Sequence, residues 1–168
     1  DHDRVGDLGK LRLGGLALFA GFLAGVLPFT GIDEPVQGIL LGSVIIVVTG
    51  AVDDLLSLRP WVKLVLQLIA ALVAIRHGVV IRILTNPGNA SAEAIALGAL
   101  SIPVTLLWIV GMTNALNLID GLDGLAAGVC GIGCASMLAV SLFLPEATEI
   151  SVLVAALGGG VSYERAFD

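Results

Sequence analysis

The sequence predicts an all-α polytopic membrane protein, a bundle of about six transmembrane helices, and three observations carry that prediction. Of the 168 residues 57% are hydrophobic and 13% charged, about half the roughly one quarter charged residues of soluble domains. The mean hydropathy is +1.04. The charges are also clustered, leaving uncharged runs at 13–32, 36–52, 64–75, 94–119, 124–145 and 150–163. Four of these runs reach the roughly 17–25 apolar residues that a helical crossing needs.

The first helix is expected at 13–29 and the second at 37–52, each with a small-xxx-small pair, Gly21…Gly25 and Gly38…Gly42, that lets backbones approach closely. The third, at 61–77, has the shortest uncharged run. Lys63 and Arg76 can extend their ammonium and guanidinium groups from its two ends, and Trp61 suits an interface. Pro60 fits its first turn, where a missing N–H does no harm. The next stretch, His77 to Leu84, is β-branched and runs into Asn86-Pro87-Gly88-Asn89. Such a run predicts a short extracytoplasmic hairpin near 78–90. The last three helices fall at 96–116, 125–144 and 148–163. Cys130 and Cys134, four residues apart in the fifth, read as small packing residues.

Basic residues set the orientation. With the N-terminus inside, the inner segments hold Arg4, Lys10, Arg12, Arg59, Lys63 and Arg165, and the outer ones hold Arg76 and Arg82. Both ends of an even-numbered bundle then face the cytoplasm. A net charge of −6 with 8 basic residues offers no stripe for phosphodiester backbones, so nucleic-acid binding is not expected. Two cysteines make no disulfide framework. No cleavable leader is evident. The chain opens on Asp and closes on Ser-Tyr-Glu-Arg-Ala-Phe-Asp, which suggests a single membrane domain, 1–168, that is a fragment of a larger protein.

The acids are the informative residues. Asp53 and Asp54 close the second predicted span, while Asp120 and Asp123 close the fourth, within Asn114-Ala115-Leu116-Asn117-Leu118-Ile119-Asp120-Gly121-Leu122-Asp123-Gly124. The predicted topology puts both clusters at the cytoplasmic level, where they could form one site. Carboxylates at the edge of hydrocarbon need a partner, and a hard divalent cation such as Mg²⁺ accepts their oxygens and brings phosphate with it. Asn114, Asn117, Asp120 and Asp123 recur every third residue, giving one slowly drifting polar face if helical. Gly121 and Gly124 suggest that the helix loosens there and leaves backbone groups for a ligand. Asp53 and Asp54 point about 100° apart on a helix. Their roles therefore differ, with one holding metal while the other accepts a proton or positions Lys63.

With these residues in view the chain resembles the polyprenyl-phosphate N-acetylhexosamine-1-phosphate transferases, which include phospho-N-acetylmuramoyl-pentapeptide transferase. The resemblance runs through Arg12-Leu13-Gly14-Gly15, through Gly50-Ala51-Val52-Asp53-Asp54-Leu55 with Pro60, Lys63 and Gln67, and through Asn114 to Ala126. It implies a Mg²⁺-dependent transferase of the glycosyltransferase family 4 type, with Mn²⁺ as a substitute metal, in the bacterial inner membrane. Such an enzyme passes sugar-1-phosphate from a UDP-sugar to a polyprenyl phosphate at the cytoplasmic face, releases UMP, and starts cell-envelope polysaccharide synthesis. Carried over, Asp53 is the base or metal partner at the lipid phosphate, with Asp54 beside it. Asp120 and Asp123, with Asn117, line the nucleotide–metal pocket, and Lys63 contacts phosphate. Asn114 and Gly121 join the substrate-binding set, while Asp54 and Asp120 are the metal ligands. The Lys63/Gln67 pattern points to the N-acetylglucosamine branch, with the muramoyl-pentapeptide branch as the alternative. Homodimers occur among such enzymes. The resemblance also places further motifs beyond Asp168, so the chain alone is expected to be inactive. A transporter or ion-binding protein with acids at its cytoplasmic face is the alternative from another class.

Overall fold

The computed structural model describes residues 15–29, 31–85, 94–119, 125–143 and 148–165. Six α-helices run through them: α1 (Gly15–Val26), α2 (Glu34–Leu56), α3 (Pro60–Arg76), α4 (Ser101–Ile119), α5 (Leu125–Ser141) and α6 (Thr148–Arg165). Between α3 and α4 lie β1 (Ile83–Thr85), β2 (Ala94–Ala96) and a 3₁₀ turn over Gly98–Leu100. The described residues fall into two compact units, one made of Asp33–Ala115, the other of those up to Ile32 together with those from Leu116 onward.

Among the described residues, two helical stretches, Glu34–Leu56 and Gly98–Ile119, are long and apolar enough to cross a membrane. Helix is the form these segments take because a chain in hydrocarbon must satisfy its backbone groups internally. α2 begins with Asp33 in extended conformation, Glu34 in the first turn and proline near the first helical position, a sequence that suits the positive end of the helix dipole. From Glu34 to Asp53 the helix rises about 28 Å at 1.5 Å per residue. That rise is close to the roughly 30 Å thickness of a bilayer core.

α2 packs on α3 in the unit Asp33–Ala115, and the contact is built from small and polar groups. Its buried residues are Val36, Gly38, Gly42 and Thr49 on α2 and Gln67, Ala70, Ala71 and Ala74 on α3. A Cβ at Gly38 would lie 2.5 Å from the His77 Cβ, and one at Gly42 would lie 3.2 Å from the Ala70 carbonyl oxygen. Meanwhile Leu41, Val48, Val65, Leu72, Leu107 and Trp108 are exposed. Small residues inside and large apolar ones outside invert the soluble pattern and suit a surface solvated by lipid.

α3 ends in a Schellman motif. Val79 N–H donates to Ala74 O at 3.1 Å and Gly78 N–H to Ile75 O at 3.0 Å, with Gly78 at φ +89°, a conformation glycine adopts without a Cβ penalty. The chain then extends. Ile81 N–H donates to Thr105 Oγ1 at 2.9 Å, while Thr105 Oγ1 donates to Ser101 O at 2.6 Å. One hydroxyl thus ties the extended segment to the first turn of α4. β1 and β2 pair antiparallel, Ile83 opposite Ala96 and Thr85 opposite Ala94. Residues 94–96 are therefore strand, and α4 starts at Ser101, five residues later than the start expected at 96, with Pro103 in its first turn. The segment expected to turn, 86–90, lies outside the described residues.

In the other unit, Val26 of α1 is buried and Gly25 faces Ala156 of α6, where a Cβ would come within 3.1 Å of the alanine Cβ. Cys134 is buried on α5 against Gly158 of α6, and the Ser151 hydroxyl donates to the Ser141 hydroxyl at 2.8 Å.

The α2–α3 contact predicts opposite effects for two glycines of one helix. Gly38→Val forces its side chain onto His77 and should lower stability by about 1–3 kcal/mol. Gly50→Ala meets nothing within 4 Å and should be neutral or stabilising by up to about 1 kcal/mol. Thermal melting of the two variants in detergent checks this.

Candidate functional site

The candidate site begins where α2 stops. Ser57 caps the helix in a left-handed conformation, φ 46° and ψ 69°, with its N–H donating to Asp53 O at 2.7 Å. The Asp53 side chain accepts the next available N–H, that of Leu58, at 2.9 Å on Oδ1. Its other oxygen pairs with the Lys63 ammonium. One aspartate therefore closes α2, fixes the turn and holds a residue from the first turns of α3.

The sequence makes this arrangement by placing Arg59 before Pro60. Arg59 is extended, φ −64° and ψ 142°, as the residue before a proline prefers, and α3 starts abruptly at the proline. Lys63 then lies close to the positive end of the α3 dipole, an unfavourable place for a cation. The Asp53 carboxylate offsets that cost. The pair is partly shielded, 32% exposed at Lys63 and 24% at Asp53, so its attraction is screened less than that of a surface pair. Asp54 follows on the exposed side of the helix, about 100° around from Asp53.

One turn beyond Lys63, buried Gln67 accepts a hydrogen bond from Asn114 Nδ2 of α4 at 2.7 Å. Asn114 Nδ2 also donates to Val110 O at 2.8 Å. The structure thus brings Asp53 to Lys63 and Gln67 to Asn114 within one compact unit. Asn117 is exposed in the last turn of α4. Asp120, Gly121 and Asp123 lie outside the described residues. Gln67 entered the sequence reading as a mark of resemblance, and the structure buries it on an alanine-lined face against Asn114, a placement that the sequence did not show.

Chemically, the described groups offer carboxylate and amide oxygens together with one ammonium. Oxygen donors suit a hard divalent cation rather than a soft metal. Among the described residues, no three His, Cys, Asp or Glu side chains converge to hold a metal ion. The Lys63 ammonium has three N–H donors and can serve a phosphate oxygen while still paired with Asp53.

Two apolar helices of membrane-spanning length, with an ion pair at the end of one of them, suit a membrane protein. The family model described as Glycosyl transferase family 4 matches residues 36–163. The chain belongs to that family. Over 84% of its length it is 43% identical to a Bacillus subtilis protein named probable undecaprenyl-phosphate N-acetylglucosaminyl 1-phosphate transferase, covering 38% of that relative. It is 33% identical over 79% of its length to decaprenyl-phosphate N-acetylglucosaminephosphotransferase of Mycobacterium tuberculosis, covering 34% of it. It is 40% identical over 72% of its length to phospho-N-acetylmuramoyl-pentapeptide-transferase of Heliobacterium modesticaldum, covering 41% of it. The chain thus spans well under half the length of these relatives. No solved structure matches it.

The double use of Asp53 predicts a graded response. Asp53→Asn keeps an oxygen for Leu58 N–H and loses the ion pair, whereas Asp53→Ala loses both. Asp53→Ala should be the less stable variant by about 1–2 kcal/mol. In that variant the Leu58 amide should also exchange its hydrogen faster than in Asp53→Asn.

Proposed function

We propose that this chain forms part of a membrane transferase that moves N-acetylhexosamine-1-phosphate from a UDP-sugar to a polyprenyl phosphate at the cytoplasmic face of the bacterial inner membrane. The observation that carries the reading is the Asp53–Lys63 pair, with Asp54 beside it, at the end of an apolar helix of membrane-spanning length. A phosphate on a lipid anchor is presented at that level of a bilayer. The names of the relatives, each a transferase of a phosphosugar or phospho-glycopeptide, support the same chemistry.

In this reaction an oxygen of the polyprenyl phosphate attacks the phosphorus attached to the sugar. The phosphoanhydride bond to the nucleotide breaks, UMP leaves, and a lipid-linked pyrophosphate sugar forms. Phosphoryl transfer asks for positioning and charge neutralisation more than for covalent help. Lys63, held by Asp53, neutralises phosphate charge. Asp53 or Asp54 takes the proton of a protonated lipid phosphate. Asp120 and Asp123 act at the nucleotide together with Asn117 and the backbone at Gly121. Asp54 and Asp120 would hold Mg²⁺, which supplies neutralisation of the phosphate oxygens when bound. Asn114, with its N–H groups directed at Gln67 and Val110, contributes through placement.

A second reading within the family, the muramoyl-pentapeptide branch, is favoured by the 40% identity to the Heliobacterium relative. The two are separated by substrate. Protein from the complete gene, given polyprenyl phosphate and Mg²⁺, should release UMP from UDP-N-acetylglucosamine and far less from UDP-N-acetylmuramoyl-pentapeptide. Asp53→Asn and Asp120→Asn should each lower the rate by about 10²-fold or more, and chelation of the metal should abolish it. The opposite substrate preference assigns the other branch. UMP release that neither substitution affects removes the acids from the chemistry.

A further inference from the structure

Gln67 lies in the interior of α3, 8% exposed, on the same face as Ala70, Ala71 and Ala74. An amide at that depth is costly unless its polar atoms are met. Asn114 meets it from 47 residues away, and in doing so commits both of its own N–H groups, one to Gln67 and one to Val110. An asparagine in this state has no N–H left for a substrate. Interhelical hydrogen bonds add little net stability inside membranes, so an amide pair is a poor device for holding helices together. It is a good device for setting their register, because it is directional where apolar packing is not.

The register it sets concerns the candidate site. Successive turns of α3 carry Lys63, held by the end of α2, and Gln67, held to α4. Asn114 also begins the three-residue polar repeat that continues along the chain to Asn117 and Asp120. We propose that Gln67 is a positioning residue for the transfer reaction: through Asn114 it fixes that turn of α4 against the helix that carries Lys63. The proposal rests on the transferase reading, since it assigns Gln67 an effect on that reaction.

The test uses protein from the complete gene in detergent, with UDP-N-acetylglucosamine, polyprenyl phosphate and Mg²⁺. Gln67→Leu and Asn114→Leu should each lower kcat about tenfold or more, with KM for the nucleotide sugar within about threefold of wild type. The double variant should be no worse than the poorer single one, the mark of two groups acting as a unit. The exchanged pair Gln67→Asn with Asn114→Gln restores the same two amides across the gap and should recover most of the lost rate. Loss of packing alone would lower the melting temperature without this kinetic pattern. Hydrogen exchange of residues 115–119, read in wild type and Gln67→Leu, should show faster exchange in the variant. An undiminished kcat in Gln67→Leu, additive losses, or an exchanged pair as poor as the singles would overturn the proposal. If the wild type turns over neither UDP-N-acetylglucosamine nor UDP-N-acetylmuramoyl-pentapeptide, the transferase reading fails. The exchange comparison then decides the clamp by itself, with unchanged rates at 115–119 disproving it.

Discussion

The carboxylate of Asp53 is where the organisation of the unit Asp33–Ala115 converges. Its backbone oxygen receives the N–H of Ser57, one side-chain oxygen receives that of Leu58, and the other holds Lys63. Between α2 and α3 the chain has three residues in which to reverse, and after Ser57 the Leu58 amide takes a side-chain acceptor in place of a helical one. An acid at this position supplies acceptors for the turn and a countercharge for a cation at the start of the next helix. Were a serine or asparagine at position 53, the turn could still be capped, but Lys63 would stand near a helix N-terminus with no carboxylate from residue 53 to offset it.

From that fixed turn, α3 runs back along α2 through a contact made of glycine and alanine. Lipid gives apolar side chains no reason to prefer the interior, so closeness of backbones and van der Waals contact decide which faces meet. Gly38 and Gly42 present bare backbone to His77 and Ala70, while Leu41, Val48, Trp61, Val65 and Leu72 are exposed. A tightly packed pair of helices leaves little room for a long polar side chain. Gln67 fits because a partner from α4 meets it at hydrogen-bonding distance. Packing and site geometry are thereby linked, since the face that buries Gln67 belongs to the helix that presents Lys63.

Much of this could be read in the sequence from elementary patterns. Uncharged runs between charge clusters located the helices, because removing a charge from water costs more than any local propensity can return. The Pro60 start of α3 and the glycine pair of α2 were legible for equally local reasons. The start of α4 was not. Ala94, Ile95 and Ala96 are as apolar as the helix that follows, and composition cannot distinguish a strand from a first helical turn when neither carries a charge. Pairing with Ile83–Thr85 decides it, through hydrogen bonds to residues a dozen positions away.

The same division holds for the site. The sequence by itself determined that Asp53, Asp54, Lys63 and Asn114 sit at the ends of apolar helices, because polar groups confined to a few positions in a hydrophobic chain have few places to go. It also carried the motifs by which the family is recognised. Only the tertiary structure decided the partners: Asp53 with Leu58 and Lys63, and Asn114 with Gln67 rather than with open space. Spacing along a chain fixes which face of a helix a side chain occupies. What that face meets depends on how neighbouring helices pack, and between helices in lipid that is set by close fit and directional hydrogen bonds.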